Sequence, residues 1–159
     1  MEIKFQSNGV VQFNDARIVY RNFSGVGNAY NREGDRNFAI VIPDDEAKDA
    51  LLSEGWNVKI KAPREEGDMP FIYLPVKVAY NKNGRGINAY LQTGHNRNML
   101  DQETISLLDN IEIERVDLDI RPYDWCVGGR TGRSAYLKAI YVVQKTDRFA
   151  DMPLLDSGE

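Results

Sequence analysis

Short runs in which apolar and polar residues alternate, broken by clusters of Gly, Asn, Asp and Pro, dominate the chain and predict a mostly β protein. The runs fall at 17–23, 36–42, 56–62, 71–80, 87–93, 111–121 and 134–144, with one more short strand near 10–13. Two segments carry a helical signature instead. The first, 43–53, opens on Pro43 and the acids Asp44, Asp45 and Glu46, which suit a helix N-terminus, and stops at Gly55. The second, 102–108, has Asp101 as its N-cap and Ile105, Leu107 and Leu108 as its apolar side. Within 111–121 the apolar positions change parity, from Ile111 and Ile113 to Val116, Leu118 and Ile120. Side chains alternate faces with period two, so a bulge or bend near Arg115 is required to keep both sets inward. Bent strands of this kind close small barrels.

The length of 159 residues and 42% apolar content support one domain with a real core. A lone cysteine, Cys126, leaves no intramolecular disulfide, and with the single His95 it cannot build the usual Cys/His zinc spacings. No run of about 18 apolar residues occurs, and MEIKFQSNGV lacks a secretory signal, so a soluble, cytoplasmic protein without membrane contact is expected. The net charge of −4 conceals a segregation: 44–54 carries −4, 101–119 carries −6 and 147–159 carries −3, leaving +9 on everything else. A cationic surface with anionic flanks is the footprint of a polyanion groove. The last residues, 147–159, are acidic and lack alternation, which predicts a mobile tail behind a domain spanning 1–146.

Alternation also assigns faces. With Trp56, Val58 and Ile60 inward, Asn57, Lys59 and Lys61 point out; with Ile72, Leu74, Val76 and Val78 inward, Phe71, Tyr73 and Lys77 point out. Likewise Ile87, Ala89 and Leu91 leave Asn88, Tyr90 and Gln92 outside. If these strands are neighbours, one outer face joins lysines, which follow phosphates, to aromatic rings, on which bases stack without regard to sequence. Three glycine-containing loops add Tyr30, Arg32 and Arg36 (24–36), Lys82 and Arg85 (81–86), and Arg130 and Arg133 (127–133).

Catalytic signatures are missing from the sequence. His95 sits in the polar stretch TGHNRN with no nucleophile at a recognisable spacing, and Cys126 beside Trp125 reads as a buried, inert thiol. There is no GxxxxGK[ST] and no GxGxxG opening a helix. Asp117 and Asp119, with Glu112 or Glu114, could ligate a divalent metal, but an alternating solvated strand explains them equally, and no metal or cofactor is expected. A binding protein is favoured over an enzyme.

The stretch IVYRNFSGVGNAYNREGDRNFAIVIPDDEAKDALLSEGWNVK (18–59), followed by VDLDIRPYDWCVGGRTGRSAYLKAIYVVQ (116–144), resembles phage-encoded single-stranded DNA-binding proteins with an oligonucleotide/oligosaccharide-binding (OB) fold. The resemblance implies an OB-like, five-stranded Greek-key barrel elaborated by hairpins, with one or two short helices. It implies a non-catalytic protein that coats single-stranded DNA during phage DNA replication or recombination. The tail sequence FADMPLLD resembles the acidic-hydrophobic tip through which bacterial single-stranded DNA-binding proteins recruit replication or recombination partners, though it lacks a terminal Phe. Two alternatives stay open: an RNA-binding module of the same architecture, and a phage interaction or anti-defence protein using its acidic blocks as the contact surface. Homo-oligomerisation is also open.

Overall fold

The alternating runs become strands that share one sheet in the computed structural model, which describes residues 1–147. In chain order they are β1 (Glu2–Phe5), β2 (Val11–Ala16), β3 (Ile18–Asn22), β4 (Arg36–Val41), β5 (Lys59–Lys61), β6 (Phe71–Val78), β7 (Asn88–Thr93), β8 (Asn96–Leu100), β9 (Ile113–Val127) and β10 (Arg130–Gln144). The sheet runs β1-β2-β9-β10-β6-β4-β3, with β5 added to β6, and β7 joining β10 to β8. Pairing is antiparallel except where β10 runs parallel to β6 and to β7. The sheet wraps a core that includes Phe13, Phe38, Ile40, Leu74, Ile120, Leu137 and Ile140, all essentially inaccessible to solvent. Its end strands, β1 and β3, do not pair, so the expected barrel is an open, curled sheet of ten described strands.

Helix α1 (Asp45–Ser53) forms where expected, and the Asp44 carboxylate caps it by accepting from the Ala47 amide at 2.8 Å. The second expected helix does not form. The Asp101 carboxylate accepts from the amides of Glu103 and Thr104, and a short 3₁₀ turn, Ile105–Asp109, follows. So short a segment gains too few helical bonds to repay nucleation, and it is held by burying Ile105 and Leu108, while Leu107 is exposed.

The inferred irregularity near Arg115 is present. Val143 pairs with Arg115 and Gln144 with Ile113, leaving Glu114 as the extra residue. A second bulge, at Lys138, has no counterpart in the expectations: Leu137 pairs with Ile120 and Ala139 with Asp119, so the inward parity of β10 changes from Ala135 and Leu137 to Ile140 and Val142. The strand expected at 56–62 shrinks to β5. Trp56 is buried, but Ile60 is 56% exposed because β5 pairs only with β6. Strands β9 and β10 run further than expected, to a turn at Gly128–Gly129, and form an arm beyond Ile120, the last residue of β9 that β2 reaches. Cys126 lies on this arm and is exposed, which corrects the expectation of a buried thiol. His95 lies in the exposed turn between β7 and β8. The expected mobile tail falls, apart from Asp147, outside the described residues. No helix among the described residues is long and apolar enough to cross a membrane.

Candidate nucleic-acid interface

On β6 the alternation works out as read: Ile72, Leu74, Val76 and Val78 are buried, and Phe71, Tyr73 and Lys77 face outward. Pro75, which cannot donate, falls where the ladder to β5 has ended and that to β10 has not begun. The registers then fix a row across four strands: Asn37 on β4 pairs with Lys77 on β6, Lys77 with Tyr136 on β10, and Tyr136 with Arg121 on β9. The Lys77 ammonium lies 5.8 Å from the centre of the Tyr136 ring, and the Arg121 guanidinium lies 4.9 Å from it. Tyr123 flanks the same ring at 5.6 Å. Tyr136 and Arg121 are not among the residues expected from the sequence, although the inward Ala135, Leu137 and Ile120 place both outside by the rule applied to β6.

A second aromatic group lies further along β6. Phe71 and Tyr73 stack at 5.5 Å, and Tyr20 of β3 stands edge-on to both, at 6.1 and 5.7 Å. Lys59 and Lys61 pair with Tyr73 and Phe71 across the β5–β6 ladder and are exposed. Two of the three predicted strands are therefore neighbours. Tyr20 had no signal in the pattern, because plain alternation from the buried Ile18 would turn it inward; a register shift between Val19 and Asn22 reverses it.

The loop 24–36 walls the groove. Asn31 donates to the carbonyls of Val26 and Asp35, and Asn37 donates to the Asn31 side chain, so polar bonds hold the loop onto the sheet. At its tip Tyr30 is 99% exposed, and the exposed Arg32 is paired only loosely, 3.6 Å from Asp35. Arg36 is committed to structure: it donates to the carbonyls of Phe23 and Gln102 and lies over Tyr80. Burial pushes the Tyr80 hydroxyl up, partly opposed by Arg36. Between loop and sheet lies an open groove of about 820 Å³, lined by Arg32, Asn37, Tyr73, Lys77, Tyr80 and Tyr136 among others.

Arg133 is also a strut rather than a free cation. It donates to Asp124 at 2.7 Å and to the Glu54 carbonyl at the end of α1 at 2.8 Å, tying the arm to the body. The guanidinium holds the Asp124 carboxyl below its usual range. On the arm the Trp125 ring lies so close to Gly132, its cross-strand partner, that any Cβ there would collide with it. Arg130 is exposed beside the Gly128–Gly129 turn.

Tyr90 and Arg85 lie elsewhere. Strand β7 pairs with the second half of β10 rather than with β6, so Tyr90 sits opposite Tyr141. Arg85 is in the loop before β7, beside a depression shared with Tyr80, Met99 and Asp101. Among the described residues no group of His, Cys, Asp and Glu has the arrangement to hold a metal.

The model of one protein family, "Putative phage ssDNA-binding domain", matches residues 2–158. Among solved structures, the single-stranded DNA-binding protein from bacteriophage Enc34 is similar at 11% identity and a TM-score of 0.59, covering 98% of this chain and 92% of that one. The same protein in complex with ssDNA gives 11% identity and 0.58, over 91% and 92% of the two chains. Its C-terminally truncated form gives 13% and 0.53, over 91% of each. These likenesses show a common fold and agree with an OB-like architecture. No curated protein matches the sequence.

Proposed function

The chain belongs to the phage ssDNA-binding domain family, and from that premise we propose that it binds single-stranded DNA, without cleaving it, along the outer face of β4, β6 and β10. The observation that carries the placement is the row Asn37, Lys77, Tyr136, Arg121, with Phe71, Tyr73 and Tyr20 beside it: cations and aromatic rings in cross-strand register, with no acid in the row. Rings accept bases of any kind, and the cations meet phosphates, so the contact is tolerant of sequence. Lys59, Lys61, Arg32 and Tyr30 border this face and extend it, and Arg36 holds the loop that walls it. Such binding suits a protein that coats exposed single strands during phage replication or recombination in the host cytoplasm.

The test is a fluorescence anisotropy titration with a thymidine oligomer, its ribo-counterpart and a matched duplex at one salt concentration. Preferential binding of the DNA single strand, weakening as salt rises, is expected. Equal affinity for duplex, or none for any polymer, would refute the reading; preference for the ribo-oligomer would reassign the protein to RNA.

A further inference from the structure

Two residues other than glycine take a left-handed backbone: Asp15 at φ 55° and Tyr20 at φ 54°. Both sit where a strand holds one residue more than its partner, Asp15 on β2 against β9 and Tyr20 on β3 against β4. Asp tolerates this conformation, and glycine is the usual occupant of such a bulge, but a bulky side chain there is an outlier. The bulge turns Arg21 away, so that it donates to the carbonyls of Leu108 and Ile111 at 2.8 Å each, and puts the Tyr20 ring outside, 57% exposed. Glycine would serve the backbone better; in its place the position carries a ring that stands edge-on to Phe71 and Tyr73 with its other side open to solvent.

The ring stands where three depressions meet: the groove of Lys77 and Tyr136, the hollow under Tyr30, and a cleft lined by Lys61, Arg64 and Phe71. We propose that Tyr20 is a wedge at which bound single-stranded DNA turns, one base stacking on the ring while the backbone passes from the Lys77 groove to the Lys61 cleft. The inference rests on the function proposed above and adds a path and a residue to it. Strained residues concentrate where the strain serves a ligand, and here the ligand surface is the ring itself.

Tyr20→Gly and Tyr20→Ala test it together, with a thymidine oligomer of about 16 nucleotides. Both variants lose about 5- to 150-fold in affinity, the equivalent of one lost stacking contact. The slope of log affinity against log salt stays unchanged, because no cation has been removed. Only the Gly variant recovers the backbone, so it melts a few degrees above the Ala variant. Affinity thus follows the ring and stability follows φ, a separation that a purely structural role would not produce. A Tyr20→Gly protein that binds like the unmodified one, while Lys77→Glu binds weakly, overturns the wedge and leaves the proposed function standing. An Ala variant as stable as the Gly variant overturns the strained geometry. Failure of the unmodified protein to bind the oligomer removes both.

Discussion

Two rows of side chains cross the outer side of β10 and β9, and they differ in the charge that β9 adds to each. The first, Asn37–Lys77–Tyr136–Arg121, is built on β4 and β6; the second, Met99–Tyr90–Tyr141–Asp117, is built on β8 and β7. In the second the Arg97 guanidinium lies 4.7 Å from one ring centre and 5.2 Å from the other, much as Arg121 lies over Tyr136 in the first, and the Tyr141 hydroxyl is bonded to the Gln92 side chain. Asp117, engaged by Arg115, ends that row, and Asp119 stands next along β9, its carboxyl pushed up by burial. In the first, β9 contributes Arg121 and Tyr123 instead. Beside its rings a polyanion meets Lys77 and Arg121 on one half of the sheet, and the carboxylates of Asp117 and Asp119 on the other. Tyrosine and arginine in proximity therefore do not define a binding face; the sign of the charges that continue the row does.

Reversing the first row gives the largest effect. Lys77→Glu with Arg121→Glu should weaken single-stranded DNA binding on the order of 100-fold or more, since like charges now face the phosphates. Both side chains are exposed, so the melting temperature should hardly move, and calorimetry beside the titration checks this. Tyr136→Ala comes next, with a loss of about 5- to 150-fold and little change in salt slope. Arg97→Ala, in the second row, should leave affinity within about twofold, because removing a cation there takes away no phosphate contact. A loss comparable to that of Tyr136→Ala would dissolve the distinction between the rows.

The arm offers a subtler probe. Asp124 is held below its usual pKa by Arg133, so its contribution is complete above the unfolded carboxylate value and disappears as pH falls through the folded one. Protection factors in 121–133, which correct for the slowing of intrinsic amide exchange with acid, should therefore fall on acidification into that window, and Asp124→Asn should lower them already at neutral pH. Unchanged exchange in the variant would show that the Arg133 contact to the Glu54 carbonyl suffices by itself.

Much of this was legible in the chain because the relevant signals are local. The alternation on β6, the acid-rich start of α1 and the parity change near Arg115 each follow from a few adjacent residues. The bulge at Lys138 was not legible, since Leu137, Lys138, Ala139 and Ile140 read as strand in either parity. Nor could local pattern show that β7 runs parallel to β10, which moves Tyr90 away from Tyr73. Strand β8, NRNML, is polar and almost fully exposed, so no core demand marks it. Cys126 looked buried because its neighbours are apolar, whereas the arm that carries them leaves the body.

The central claim, that one row is the DNA face and the other is not, is tested most directly by amide chemical-shift mapping with a saturating thymidine oligomer. The largest changes should fall on Tyr20, Arg32, Asn37, Phe71, Tyr73, Lys77, Arg121 and Tyr136, with β7 and β8 unmoved. Changes centred on Tyr90, Arg97 and Tyr141, or spread evenly over both rows, would contradict it.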